Sequence, residues 1–135
     1  MTESYPMVYA KAMALYGTLE FAYLFLQGSK YMDAFQGIAK EPRNLVLYGF
    51  LAYVCIAYAM HELLLLPMYQ GRIDNIPMRV IGMALLGYGI YNFTNKATLG
   101  EGFYGSALMI QDMAWGLVVF GAVAYVTQNF FIGSR

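Results

Sequence analysis

Four long apolar stretches run through the chain, and segments rich in glycine, proline or charge separate them. The stretches cover about residues 7–27, 45–66, 78–95 and 106–131. A helix needs about 20 mostly apolar residues to cross a bilayer, whereas a barrel strand needs about ten residues of alternating polarity. The continuous apolar pattern therefore predicts four transmembrane helices.

The connections between the stretches predict how these helices are arranged. Short turns after the second and third stretches favour antiparallel neighbours, so we expect an all-α membrane protein. The predicted fold is an antiparallel four-transmembrane-helix bundle, a single transmembrane domain over residues 1–135 with both chain ends on one side. We expect a polar loop from Gly28 to Asn44 and an end of the second span at Pro67. Lys and Arg are divided evenly between the two sides, so the positive-inside rule leaves the orientation open.

Composition supports a membrane protein. Of the 135 residues, 60% are hydrophobic and 12% are charged, whereas a soluble domain carries about 25% charged residues. The formal net charge of zero gives no basic surface for nucleic acid. We expect the lone cysteine, Cys55, to be a small packing residue within its apolar stretch. The expected partners are the lipid bilayer and a homo-oligomer or larger membrane complex, and the sequence does not indicate which membrane.

Polar side chains interrupt the apolar stretches, and Glu20 lies near the middle of the first one. A charge in hydrocarbon costs roughly 2.5–3.5 kcal/mol on insertion scales, so such residues are expected to face the protein interior. The alternating direction of the spans places one set of polar residues in the half of the membrane away from the chain ends. This predicted intramembrane polar layer comprises Glu20, Tyr23, Tyr91, Asn92, Asn95, Gln111, Asp112 and Trp115.

A second predicted polar layer lies in the other half of the membrane and comprises Lys11, His61, Glu62 and Arg79. Lys11 and Arg79 lie near helix ends, where long basic side chains reach the interface. We expect Glu62 to pair with one of them. A zinc-protease motif needs a second histidine four residues after His61, and that position is Leu65. We therefore predict no metal site, no cofactor and no catalytic residue.

Two segments carry a sequence signature. Residues 88–99 read Tyr-Gly-Ile-Tyr-Asn-Phe-Thr-Asn-Lys-Ala-Thr-Leu, and residues 112–116 read Asp-Met-Ala-Trp-Gly. The signature resembles that of small four-span membrane proteins called domain of unknown function 2177, with members in bacteria and large algal viruses. The resemblance implies a four-span fold and a polar layer, and it implies no established activity. Asn92 stands where the family usually has Asp, and Tyr23 where it usually has Trp.

Three functions stay open at this point. The leading interpretation is a non-enzymatic structural or accessory bundle, in which the polar layer holds the helices in register. The first alternative is a small transporter or channel that uses Glu20, Asp112, Asn92 and Asn95. The second is a lipid-modifying enzyme with Glu20 or Asp112 as acid or base, although the sequence shows no nucleophile with an adjacent base. Water access to the layer would favour transport, a groove open to lipid would favour an enzyme, and a sealed layer would favour the structural role.

Overall fold

The computed structural model describes residues 3–34, 42–100 and 105–133, and these residues form four helices. Helix α1 is Tyr5–Ala34, and helix α4 is Ser106–Ile132, whose end from Thr127–Ile132 is π-helical. Helix α2 covers residues 42–69 as Pro42–Met60, a π-helical turn His61–Leu65 and Leu66–Tyr69. Helix α3 covers residues 76–99 as Ile76–Ala84, a π-helical turn Leu85–Gly89 and Ile90–Leu99.

Contacts at one end of the bundle show that neighbouring helices are antiparallel. The Tyr69 hydroxyl, at the end of α2, donates to the backbone carbonyl of Glu3 just before α1, at 2.9 Å. Lys11, early in α1, lies 5.7 Å from the centre of the Phe131 ring near the end of α4. The described residues contain no strand. The predicted all-α four-helix bundle is therefore confirmed.

Helix α2 continues past Pro67, where the sequence predicted its end. Proline lacks a backbone N–H, and its ring clashes with the carbonyl four residues earlier in a regular helix. The π-helical turn just before Pro67 widens the helix there, and the Leu66 N–H bonds to the His61 carbonyl across this turn. The wide turn lets the helix pass through Pro67 and end at Tyr69.

Helix α1 also extends beyond its predicted span. The prediction that a loop begins at Gly28 is wrong, because the helix continues to Ala34. No proline interrupts this stretch, and the extra helical turns bring Tyr31 back onto α4. Of the rest of the predicted loop, residues 35–41 lie outside the described residues, and residues 42–44 belong to α2, which begins at Pro42.

The bundle exposes apolar side chains and buries polar ones. On α1, Phe25 is 81% exposed whereas Glu20 is 6% exposed. Apolar side chains such as Leu64, Met83 and Phe120 fill the interior together with the buried polar residues. Two of the helices contain stretches long and apolar enough to cross a membrane, Val46–Tyr69 and Ser106–Ile132. Helices α1 and α3 are less apolar because they carry more of the polar residues.

The first half of α2 packs loosely against the rest of the bundle. Val46, Phe50 and Val54 are all exposed there. Cys55 is exposed as well, so the prediction that it is a packing residue is wrong. The residues that α2 turns toward α3 at this level include Gly49 and Ala52, which are too small to fill the space between the two helices.

Candidate functional site

The Glu20 carboxylate lies where the four helices meet. One face of α1 carries Tyr16, Glu20, Tyr23 and Gln27, since positions three and four apart share a helix face. Each of the other three helices contributes one donor to the carboxylate. Tyr53 of α2 donates to Oε1 at 3.0 Å, while Tyr88 of α3 and Trp115 of α4 each donate to Oε2 at 2.7 Å.

Asp112 of α4 forms the second centre, and it also accepts three hydrogen bonds. The Tyr31 hydroxyl of α1 donates to Oδ1 at 2.8 Å. On α3, the Asn92 amide donates to Oδ2 at 2.6 Å and the Tyr91 hydroxyl donates to the same oxygen. Asp112 and Asn92 are both buried. The carboxylate therefore connects α4 to α1 and to α3.

Two routes join the centres into one network. The Asn92 amide donates to the backbone carbonyl of Tyr88 at 2.7 Å, and Tyr88 in turn binds Glu20 through its hydroxyl. On the other side, the Trp115 indole stacks on the Tyr23 ring at 4.4 Å between centroids. The hydroxyls of Tyr23 and Tyr31 are 2.5 Å apart, and Tyr31 donates to Asp112. The stacked pair therefore connects Glu20, which binds Trp115, to Asp112.

Further polar groups extend the network at its edges. The Gln111 amide donates to the Tyr23 hydroxyl at 3.3 Å and to the Gln27 side-chain oxygen at 3.2 Å. The hydroxyls of Tyr16 and Tyr88 are 3.2 Å apart in the interior. We use the term polar network below for Glu20, Asp112 and the side chains that bind them directly: Tyr31, Tyr53, Tyr88, Tyr91, Asn92 and Trp115.

The donors to both carboxylates are neutral. Among the described residues, the ion pairs are Lys11 with Glu3 at 2.5 Å and His61 with Glu62 at 3.2 Å, and neither involves Glu20 or Asp112. Hydrogen bonds to an ionised group are stronger than those between neutral groups. Among the described residues, neutral phenol, amide and indole donors therefore hold the two carboxylates in place, and no positively charged side chain forms an ion pair with either of them.

A close approach of α3 and α4 sets the position of Tyr88. The ring of Tyr88 lies directly over Gly116, where a β-carbon would come within 2.6 Å of Cδ2. Only glycine leaves room for the ring at this position. A similar contact occurs at Gly87, where a β-carbon would lie 3.1 Å from the Phe120 ring. Gly116 therefore allows the Tyr88 hydroxyl to reach Glu20.

A groove of about 420 Å³ reaches Glu20 from the outer surface of the bundle, between α2 and α3. Glu20 contributes from α1, and the side chains of Tyr53, Tyr88 and Tyr91 line the groove around it. The remaining lining residues are small or apolar: Gly49, Ala52, Cys55, Ile56, Leu86, Gly87 and Ile90. Asp112 does not line this groove.

The residues of the second predicted layer do not form one cluster. Lys11 pairs with Glu3, which precedes α1, and Glu62 contacts His61, so the expected pairing of Glu62 with Lys11 or Arg79 is wrong. Glu3 lies beside Lys11 at the same end of α1, whereas Glu62 is exposed. Arg79 is exposed and forms no ion pair within the described part of the chain.

Tyrosines pack around His61 instead. The Tyr5 and Tyr9 rings lie 5.4 and 5.5 Å from the His61 ring, edge to face, and Tyr69 lies 5.3 Å from Tyr5. Burial raises the pKa of Tyr5 to about 12, so its phenol stays protonated at neutral pH. The Tyr9 hydroxyl donates to the Ala57 carbonyl at 3.1 Å. These aromatic contacts tie the start of α1 to the end of α2.

The structure brings together most of the first predicted layer and adds residues to it. Seven of its eight residues bind one another directly or through a tyrosine, whereas Asn95 makes no hydrogen bond to either carboxylate among the described residues. Tyr31, Tyr53 and Tyr88 were missed. Tyr31 falls after the predicted end of its span. Tyr88 begins the signature of residues 88–99, whereas the only sequence signal for Tyr53 is that buried hydroxyls need partners.

Within the described residues, no group of three or more His, Cys, Asp or Glu side chains is placed to hold a metal ion. The two buried carboxylates are each occupied by hydrogen-bond donors of the protein. The arrangement can therefore fix helices relative to one another, hold or pass a proton along hydroxyls, or offer the Glu20 carboxylate to a ligand in the groove.

The family comparison agrees with the membrane assignment. A family model described as "Predicted membrane protein (DUF2177)" matches residues 5–129. The match includes every residue of the polar network and all but the last three residues of the four helices. No curated protein and no solved structure matches the chain significantly.

Proposed function

Because the chain belongs to the DUF2177 family of predicted membrane proteins, we propose that it is a structural or accessory bundle that crosses the bilayer four times. Both chain ends would then lie on one side. The exposed apolar faces support this topology, because α1 also presents side chains such as Phe21 and Phe25 outward. The inward polar residues explain why α1 and α3 are less apolar than the other two helices.

One observation carries the proposed role: Glu20 binds one donor from each of the three other helices. A single carboxylate thereby fixes the position of α1 relative to α2, α3 and α4. Interhelical hydrogen bonds in membranes contribute about 0.6 kcal/mol each on average. Three of them contribute roughly 2 kcal/mol on that scale, which is a large fraction of the stability of a small bundle.

The exposed half of α2 supports an accessory role. Its apolar side chains, among them Val46, Phe50 and Val54, are exposed, and in the proposed topology they would contact lipid or another membrane helix. A second copy of the chain or a larger membrane complex would bury this surface. Cross-linking in native membranes tests this part of the proposal. If the protein stays monomeric there, lipid is the partner of this surface of α2.

The alternatives have less support. Transport needs a path to the polar network from both faces, and Asp112 does not line the groove that reaches Glu20. A groove open to lipid is the arrangement expected for an enzyme, but the partners of Glu20 in the described chain are phenols and an indole. None of these groups forms a nucleophile paired with a base.

Substitution of Glu20 tests the structural role. Glu20→Gln preserves hydrogen-bonding capacity and should unfold close to the parent, whereas Glu20→Leu leaves three donors without an acceptor and should lose roughly 2 kcal/mol. Thermal unfolding in detergent measures both variants. Equal stability of Glu20→Leu and the parent would contradict the structural role.

A flux assay on the same proteins separates structure from transport. In liposomes with a pH-sensitive or ion-sensitive dye, the parent and Asp112→Asn should both pass no protons or cations above empty liposomes. Robust flux in the parent that Asp112→Asn abolishes, with the fold intact, would establish the transport alternative instead.

A further inference from the structure

The groove between α2 and α3 is open because its lining side chains are too small to fill it. Gly49 and Ala52 of α2 face Gly87 of α3 across the space. The opening lies on the surface of the apolar stretch Val46–Tyr69, so a molecule dissolved among acyl chains reaches it sideways. A volume of about 420 Å³ is in the range of pockets that bind small organic molecules.

The groove has an acceptor at its inner end. Glu20 Oε1 has a single donor, Tyr53, while Oε2 has two. An ionised carboxylate offers about four acceptor positions in total, so one side of Oε1 is not taken by a donor and can face a positive charge. Tyr53 is itself exposed at the edge of the groove, where its hydroxyl can move aside for a ligand.

Charge and ring chemistry favour a cation as the ligand. No Lys, Arg or His of the described chain pairs with Glu20. The faces of tyrosine rings attract cations, and a ring of aromatic side chains is a common way to bind quaternary ammonium groups. The walls are otherwise apolar, so they suit an organic cation that gives up water easily and do not suit a strongly hydrated metal ion.

We propose that this groove binds a lipophilic organic cation, such as an alkylated or arylated ammonium or phosphonium ion. The charged centre lies against Glu20 and the rings of Tyr53, Tyr88 and Tyr91, and the apolar groups lie against Ile56, Leu86 and Ile90. The site goes beyond the structural role of the polar network, because it uses Oε1, the oxygen of Glu20 that has one donor where Oε2 has two.

The test uses purified full-length protein in lipid nanodiscs with tetraphenylphosphonium as the probe and triphenylphosphine oxide as its uncharged counterpart. The chain supplies two reporters: the only tryptophan, Trp115, binds Glu20, and the only cysteine, Cys55, lines the groove. The cation should change Trp115 fluorescence saturably and slow the labelling of Cys55 by a maleimide. The uncharged counterpart should do neither at the same concentration.

Three variants locate the site. Glu20→Gln removes the charge and should weaken binding at least tenfold, whereas the same change at the exposed Glu62 should leave affinity within about twofold of the parent. Ala52→Leu fills the groove at a residue outside the polar network, so it should abolish binding while leaving the unfolding midpoint unchanged. Binding by Ala52→Leu or by Glu20→Gln at parental affinity would overturn the proposal, as would equal binding of the uncharged counterpart. By contrast, an unfolding midpoint of Glu20→Leu equal to that of the parent would contradict the structural role and would leave the binding proposal unaffected.

Discussion

Gly116→Ala adds one methyl group at the contact between α3 and α4. The new β-carbon would lie 2.6 Å from Cδ2, 2.9 Å from Cγ and 3.2 Å from Cβ of Tyr88. Carbon atoms in ordinary contact are about 3.5–4.0 Å apart. Because the clash involves the base of the side chain, the whole Tyr88 side chain must shift and no tip rotation relieves it. A shift of that size takes the Tyr88 hydroxyl out of the 2.7 Å hydrogen bond with Glu20.

The expected destabilisation combines three effects. Overpacking a tight contact costs about 1–3 kcal/mol, and the lost interhelical hydrogen bond adds about 0.6 kcal/mol. Alanine is better than glycine inside a helix by up to about 1 kcal/mol, which offsets part of the loss. The net loss of stability is therefore roughly 0.5–2.5 kcal/mol.

Gly121→Ala is the matched control on the same helix. Its β-carbon would meet Val80 Cγ1 at 3.9 Å, an ordinary contact, so this variant should be as stable as the parent or slightly more stable. Unfolding in detergent, followed by the fluorescence of Trp115, measures all three proteins. Equal stability of Gly116→Ala and Gly121→Ala, with unchanged emission, would refute the close contact between Tyr88 and Gly116.

Two further predictions concern the donors to Asp112. Tyr31→Phe removes the hydroxyl that donates to Oδ1 and should lower the free energy of unfolding by about 0.6 kcal/mol or more in the same assay. Tyr48→Phe, at an exposed tyrosine, is the control and should have no effect. Equal stability of the two variants would place Tyr31 outside the network. Asn92→Asp replaces the amide donor by a second carboxylate beside Asp112 and should be clearly destabilising. Asn95→Asp serves as its control, because Asn95 does not bind Asp112, and a larger loss at Asn95 than at Asn92 would contradict the assignment.

The inward direction of Glu20 and Asp112 follows from the sequence, because a lipid-facing carboxylate is too costly. Their partners do not follow from it. The chain has 13 tyrosines, and helix packing angles decide which hydroxyls reach a carboxylate. Tyr31 reaches Asp112 only because α1 continues beyond the apolar stretch, and hydropathy does not indicate such a continuation.

The π-helical turns within the helices are also not predictable from the hydropathy pattern. The buried residues on α3 include the series Val80, Ala84, Tyr88 and Asn92, whose spacing of four drifts around a helix of 3.6 residues per turn. The π-helical turn Leu85–Gly89 lies in the middle of this series and compensates for part of the drift. It keeps Asn92 directed at Asp112, while Asn95, three residues later, turns away from the carboxylate. Residue spacing alone predicts that Asn92 and Asn95 both belong to the polar layer.

The state of the Trp115 indole N–H tests the polar network most directly, because this single group reports whether α4 is bound to Glu20 of α1. Its resonance can be followed by nitrogen–proton NMR of the labelled protein in detergent micelles, together with its exchange with deuterium. The account predicts slow exchange in the parent, and a resonance that moves in Glu20→Gln and stays in place in Glu62→Gln. An indole N–H that exchanges as fast as free indole and does not respond to Glu20→Gln would contradict it.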